Sequence, residues 1–190
     1  MPTGHVAVVG KANKKKMNQI AYDAITTAWE LTVKARALCP YTGASAIGME
    51  SYSSPGWYQA RGAAYFVKPA QPLTAEDIQE INQIGEFVNR SFIISMAAIL
   101  EASGVVPYKA DPDRTKHGGD HVQLTKWLRN RFAHGKWEYN PKKRTNIKTR
   151  QLLEKLFPAG TVGNPGFVIS IDAILEPLKN GVLDYILSAT

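Results

Sequence analysis

Residues 74–104 confine this chain to a narrow set of folds. Thr74 is a good helix N-cap, and Glu76 and Asp77 follow in the first turn, where the helix dipole favours acids. Ile78, Ile81, Ile84, Phe87, Val88, Ile94, Met96, Ile99 and Leu100 recur at helical spacing, and Gly104 with Pro107 just beyond marks a stop. The spacing predicts one helix of nearly thirty residues, apolar on most sides in its second half. Such a helix is central in a bundle or buried at an oligomer interface.

The rest of the chain has the same character. Ile20, Ala24, Ala28 and Leu31 recur at spacings of three and four, with Ile25 and Trp29 alongside, and predict a helix over 17–38 before Pro40. Asp120 reads as an N-cap with Gln123 at the capping-box spacing, for a helix from His121 to His134 with Gly135 as its C′ residue. Asn146 is expected to cap a short helix, Ile147–Leu156, that Pro158 stops. A last helix runs from Ser170 or Ile171 to Leu187, and Pro177 is expected to kink it or mark its true start. With little strand and no internal repeat, the expected fold is all-α, a four- to five-helix up-and-down bundle. The 190 residues read as a single domain with two elaborations. Residues 1–16 are expected to be a basic N-terminal arm ending in the solvated run Lys14-Lys15-Lys16. Residues 39–73, rich in Gly and Pro and without a period, read as an irregular insertion between the first two long helices, with a short hairpin around Trp57–Val67.

Several chemistries are excluded early. Cys39 is the only cysteine, so the chain forms no internal disulfide and no cysteine-based zinc site, and a reducing, cytoplasmic compartment is expected. Cys39 also has no positional case as a nucleophile. The longest apolar stretch, Phe92–Leu100, is too short to span a bilayer, and no secretory signal is evident before Lys11, so no membrane partner is expected. Gly10-Lys11 is followed by Ala12 and lacks the second glycine of a phosphate-binding loop. His117 and His121, with Asp120 between them, have one spacing a metal site uses, but Gly118-Gly119 interrupts a helix there and Asp120 serves better as a cap. No metal and no other cofactor is expected.

The charge is where the sequence departs from the ordinary. The net +7 is not spread out. Residues 126–150 hold nine basic side chains and one acid, Glu138, while the remainder carries 14 basic and 15 acidic residues. A phosphate backbone meets a local patch of +8 on an otherwise near-neutral chain. Trp127, Phe132, Trp137 and Tyr139 are interleaved with it, and rings beside cations suit unstacked RNA bases. Trp127 and Phe132 are better read as core residues on an apolar helix face; Trp137 and Tyr139 are the open candidates. Arg131, Lys136, Lys142, Lys143, Arg144 and Lys148 complete the candidate RNA-binding set.

Within the patch stands Leu128-Arg129-Asn130-Arg131-Phe132-Ala133-His134-Gly135. An arginine, a polar residue, and a histidine after four intervening positions resemble the signature of the HEPN superfamily (higher eukaryotes and prokaryotes nucleotide-binding domains). The likeness is close over the motif, loose over residues 74–190, and does not extend to residues 39–73. It implies a small helical bundle of HEPN type that forms a homodimer, so that two motif helices line one cleft. It also implies a metal-independent endoribonuclease, often a toxin or anti-phage effector with a neutralising antitoxin protein, although some members bind without cutting. Carried onto this chain, Arg129 and His134 are the catalytic pair and Asn130 supports them.

The residue chemistry agrees with that implication. Metal-free RNA cleavage needs a group that exchanges a proton with the 2′-hydroxyl or the leaving oxygen near neutral pH, and histidine is suited to it. Charge builds on the phosphate oxygens, and the planar fork of an arginine stabilises it. Asn130 precedes His134 by four residues and shares its helix face, where it can orient the ring. Arg129 and His134, however, lie about 140° apart around an ideal helix. Arg129 reaches around, or the helix tightens at its end, or two subunits share one cleft. The plainer alternative pairs Arg131 with an acid and leaves His134 as a helix cap. Glu101 and Arg90 on the long helix are either charges near a cleft or surface residues. A non-catalytic RNA-binding or regulatory module, and an interaction protein that recruits a partner through an exposed apolar helix, remain the alternatives to an enzyme.

Overall fold

The structure, a computed structural model, describes residues 4–54, 56–60, 62, 64–107, 109–134, 142, 144–158 and 171–188. It is all-α. The long helices among the described residues are α1 (Gly4–Leu38), α3 (Ala75–Ala102), α4 (Gly119–Ala133), α5 (Arg144–Leu156) and α6 (Ile171–Ser188). A single helical turn, α2 (Gly56–Gln59), and two short strands, β1 (Tyr52–Ser53) and β2 (Phe66–Val67), lie between α1 and α3. The described residues fall into two compact units, one from Met1–Thr26 with Ile93–Thr190 and one from Thr27–Phe92.

Helix α1 begins at Gly4, not at residue 17, so the expected N-terminal arm is largely helical. No proline follows Pro2 before Pro40, so nothing stops the helix outright despite Gly10, and Lys14, Lys15 and Lys16 are solvated on its surface. Its buried face also differs from the expected one by one residue. Ala21, Ile25, Trp29, Val33 and Ala37 are buried at steps of four, whereas Ile20 and Leu31 are 56% and 63% exposed. The small residues at 21 and 37 and the buried polar residues Thr32 and Arg36 disguise that face in the sequence.

In the unit Thr27–Phe92 the irregular segment has a definite structure. Strands β1 and β2 pair antiparallel with Tyr52 opposite Val67. The first strand of the hairpin therefore lies upstream of the expected Trp57–Val67 span, and Trp57 falls in α2. Ala46, Leu73 and Ile78 form a small core with Tyr52 and Ile81 against it. Asn82 of α3 donates to the Thr42 carbonyl at 2.9 Å and accepts from the Thr42 amide at 2.8 Å, a side-chain copy of a strand pair. Arg36, 2% exposed, donates from Nε to the Tyr58 hydroxyl at 3.0 Å and from Nη1 to the Cys39 carbonyl. Helix α3 opens as the sequence predicts. The Thr74 hydroxyl accepts from the Asp77 amide at 3.2 Å, and Asp77 accepts from the Thr74 amide at 2.7 Å.

In the other unit α4 packs against both α5 and α6. Helix α3 ends at Ala102, with Gly104 at φ +69° and its amide donating to the Glu101 carbonyl at 3.1 Å. Its apolar half is buried through Ile93, Met96, Ala97 and Leu100 in this unit, and through Phe92, the last residue of the unit Thr27–Phe92. Asn18 is buried and donates to the Ile186 carbonyl at 3.1 Å, which ties α1 to α6. Ile174, Leu175, Leu178, Val182 and Ile186 bury one side of α6. Pro177 lies inside that helix, so it does not mark its start.

Candidate functional site

Helix α4 carries the candidate site, and its entry fixes where the site lies. Its N-cap is Gly118 at φ +76°, not Asp120. A Cβ on Gly118 would overlap the Gly181 carbonyl oxygen and lie 2.8 Å from the Tyr185 amide nitrogen, so the chain enters α4 with bare backbone against α6. One turn on, the His121 ring sits on Gly181 and meets Phe157 edge-on at 6.2 Å. Burial pushes the His121 imidazole below its ordinary pKa; His117 adds to this, and Asp120 and Asp184 oppose it. Asp120 is released from capping and pairs instead with Arg114 at 2.5 Å and with Lys155 of α5 at 2.6 Å. Burial raises the Asp120 carboxyl, but those two hydrogen-bonded cations outweigh it and hold the group below the usual carboxylate range. His117 stands 3.2 Å from Asp184. No cluster of three or more metal-ligating side chains occurs among the described residues.

Val122, Leu124, Leu128 and Phe132 form the buried face of α4, and Trp127 is half-buried. Arg129 lies at the edge of that buried arc, while Asn130 and His134 are exposed on the opposite side and at the C-terminal end. Arg129 donates from Nη2 to Glu101 Oε2 at 2.6 Å and from Nη1 to Asn130 Oδ1 at 2.8 Å. The ion pair is largely shielded, with side-chain exposures of 20% for Arg129 and 16% for Glu101. Asn130 therefore turns its amide oxygen to Arg129, not to His134. His134 is the exposed C-cap of α4, at φ −100° and ψ 8°, and its amide donates to the Phe132 carbonyl. Arg131 is half-buried and donates to Asn146 Oδ1 of α5 at 3.3 Å, so it ties α4 to α5.

The basic residues divide in two. Lys142, Arg144 and Lys148 are exposed, and Arg144 and Lys148 lie in the first two turns of α5. Their positive charge at a helix N-terminus is opposed by the helix dipole. Lys136, Trp137, Tyr139 and Lys143 lie outside the described residues. Asn146 is not the cap of α5, which begins at Arg144; it accepts from Arg131 instead. The Cys39 thiol is pushed up by burial despite Arg36, which is the opposite of a reactive thiolate.

The sequence alone does not specify the partner of Arg129. Glu101 is the residue that meets it, across a separation of 28 positions. One local signal points to Glu101: a carboxylate in the last turn of α3 opposes the helix dipole and needs a cation to offset it. No family model, curated protein or solved structure matches the chain.

Proposed function

We propose that this chain is a metal-independent endoribonuclease of HEPN type that acts on RNA as a homodimer in the cytoplasm. One observation carries the reading: the end of α4 presents an exposed histidine, His134, five residues beyond an arginine whose guanidinium is already held in place. In the reaction the 2′-oxygen attacks phosphorus, the 5′-oxygen leaves, and a cyclic phosphate forms. His134 exchanges the proton with one of those oxygens, and Arg129 stabilises the charge that builds on phosphorus-bound oxygen. Lys142, Arg144 and Lys148 attract the backbone, with Lys136, Trp137, Tyr139 and Lys143 as further candidates next to them in sequence. Two copies of the α4 end bring Arg129 and His134 into one cleft, which removes the difficulty that they lie about 140° apart on a single helix. A role as a toxin or anti-phage effector, kept in check by an antitoxin protein, follows from the same resemblance.

Labelled RNA incubated with the protein in EDTA tests this. Wild type is expected to cut, and His134→Ala to lose cutting by at least about 100-fold. Cleavage that needs a divalent metal, or that survives the substitution, refutes the reading. A second reading is favoured by the Arg129–Glu101 pair itself, since a carboxylate already occupies the guanidinium. In that reading the chain is a non-catalytic RNA-binding or regulatory module, which retains RNA in a salt-sensitive manner and leaves it intact.

A further inference from the structure

We propose that Glu101 is a positioning residue of the α4 site, setting the direction in which Arg129 meets a scissile phosphate. This role rests on the ribonuclease reading above. Glu101 is next to last in α3, where the negative end of the helix disfavours a carboxylate, so its own helix does not account for it. Arg129 does: the two meet at 2.6 Å. The segment 126–150 contains a single acid, Glu138, and the carboxylate on Arg129 comes from outside it. Asn130 holds Nη1 at 2.8 Å while Glu101 holds Nη2, so the planar fork is gripped on two nitrogens. A guanidinium fixed in this way does not reorganise as charge builds on the phosphate, the condition under which such a group contributes most. The same carboxylate weakens the positive field that draws RNA in. Glu101 therefore favours the chemical step and opposes binding, and a merely structural residue does not have that pair of effects.

The test compares wild type, Glu101→Gln, Arg129→Ala and the double variant on one labelled RNA, in EDTA, with cleavage at saturating protein, RNA affinity and thermal melting all measured. Glu101→Gln is expected to cut about 10- to 100-fold more slowly, as a displaced catalytic group does, while binding RNA at least as tightly. In the Arg129→Ala background the same change is expected to slow cutting no further. Equal slowing in both backgrounds, an unchanged rate in Glu101→Gln, or a rate loss matched by losses of RNA affinity and melting temperature overturns the positioning role. A wild type that cuts while Glu101→Gln cuts equally fast refutes this role alone; a wild type that does not cut refutes the ribonuclease reading and this role with it.

Discussion

The α4–α6 seam turns on Gly118, and replacing that residue measures how tightly the site helix is fixed. Gly118→Ala has two costs. One is the left-handed backbone at φ +76°, which for a residue with a Cβ costs about 1–2 kcal/mol. The other is overlap: the new Cβ meets the Gly181 carbonyl oxygen and lies 2.8 Å from the Tyr185 amide and 3.0 Å from the Tyr185 Cβ. Ordinary contacts there are about 3.5–4.0 Å. Two of the three atoms belong to the backbone of α6 and cannot swing aside, so the helices must part, and overpacking of this kind costs about 1–3 kcal/mol. Gly104→Ala in the same unit isolates the first cost. Its φ is +69°, and its one close neighbour is Met17 Cε at 3.1 Å, the tip of a flexible side chain. The difference between the two variants is therefore about 2 kcal/mol, or about 4–8 °C in melting temperature for a chain of this size. Thermal unfolding followed by circular dichroism reads it directly. Equal melting temperatures for Gly118→Ala and Gly104→Ala would show that α4 yields at its entry and that the Gly118–Gly181 approach does not fix it.

Two further outcomes are expected. The folded pKa of His121 lies below its unfolded value near 6.5, so its contribution is complete above that pH and is lost as pH falls toward the folded value. The urea midpoint should drop between pH 7.5 and 5.5, and His121→Gln should flatten the drop; an unchanged slope refutes the assignment. Replacing Arg144 and Lys148 together by Gln should make the dependence of log K on log salt shallower by about 1.4 for single-stranded RNA, since each phosphate contact contributes about 0.7. An unaltered slope in a filter-binding titration would remove α5 from the RNA contact surface.

Short-range rules read from the sequence were reliable where the governing contact lies within a few residues. Thr74 caps α3 as its residue type predicts, and Asp77, expected there as a first-turn acid, also closes the reciprocal hydrogen bond three residues away. Gly104 ends the same helix for the same kind of reason. Asp120 shows how a local rule is overridden. Its capping-box spacing is correct, yet Gly118 already closes the helix, and Lys155, 35 residues away, draws the carboxylate into an ion pair. The face of α1 was misplaced because Ile20 and Leu31 outweigh Ala21 and Ala37 on any hydropathy scale, while burial depends on which side the neighbouring elements cover. Of the candidate residues, Arg129 and Asn130 lie in the last turns of α4 and His134 is its C-cap, where the helical pattern puts them. Their pairing was not legible, because Glu101 and Asn146 reach the motif arginines through tertiary packing across 28 and 15 positions.

The burial of Arg36 beneath Tyr58 bears on how the irregular segment can vary. Excising residues 40–73 would take away Tyr58, and with it the acceptor of the Arg36 Nε–H and the ring that lies against the buried guanidinium, while the bond to the Cys39 carbonyl would stay. The segment is thus not an appendage that can be trimmed or exchanged by itself. A shorter version of this chain would leave the Arg36 Nε–H without its hydroxyl acceptor, and a graft of the segment onto another helical pair would leave the Tyr58 hydroxyl without its donor.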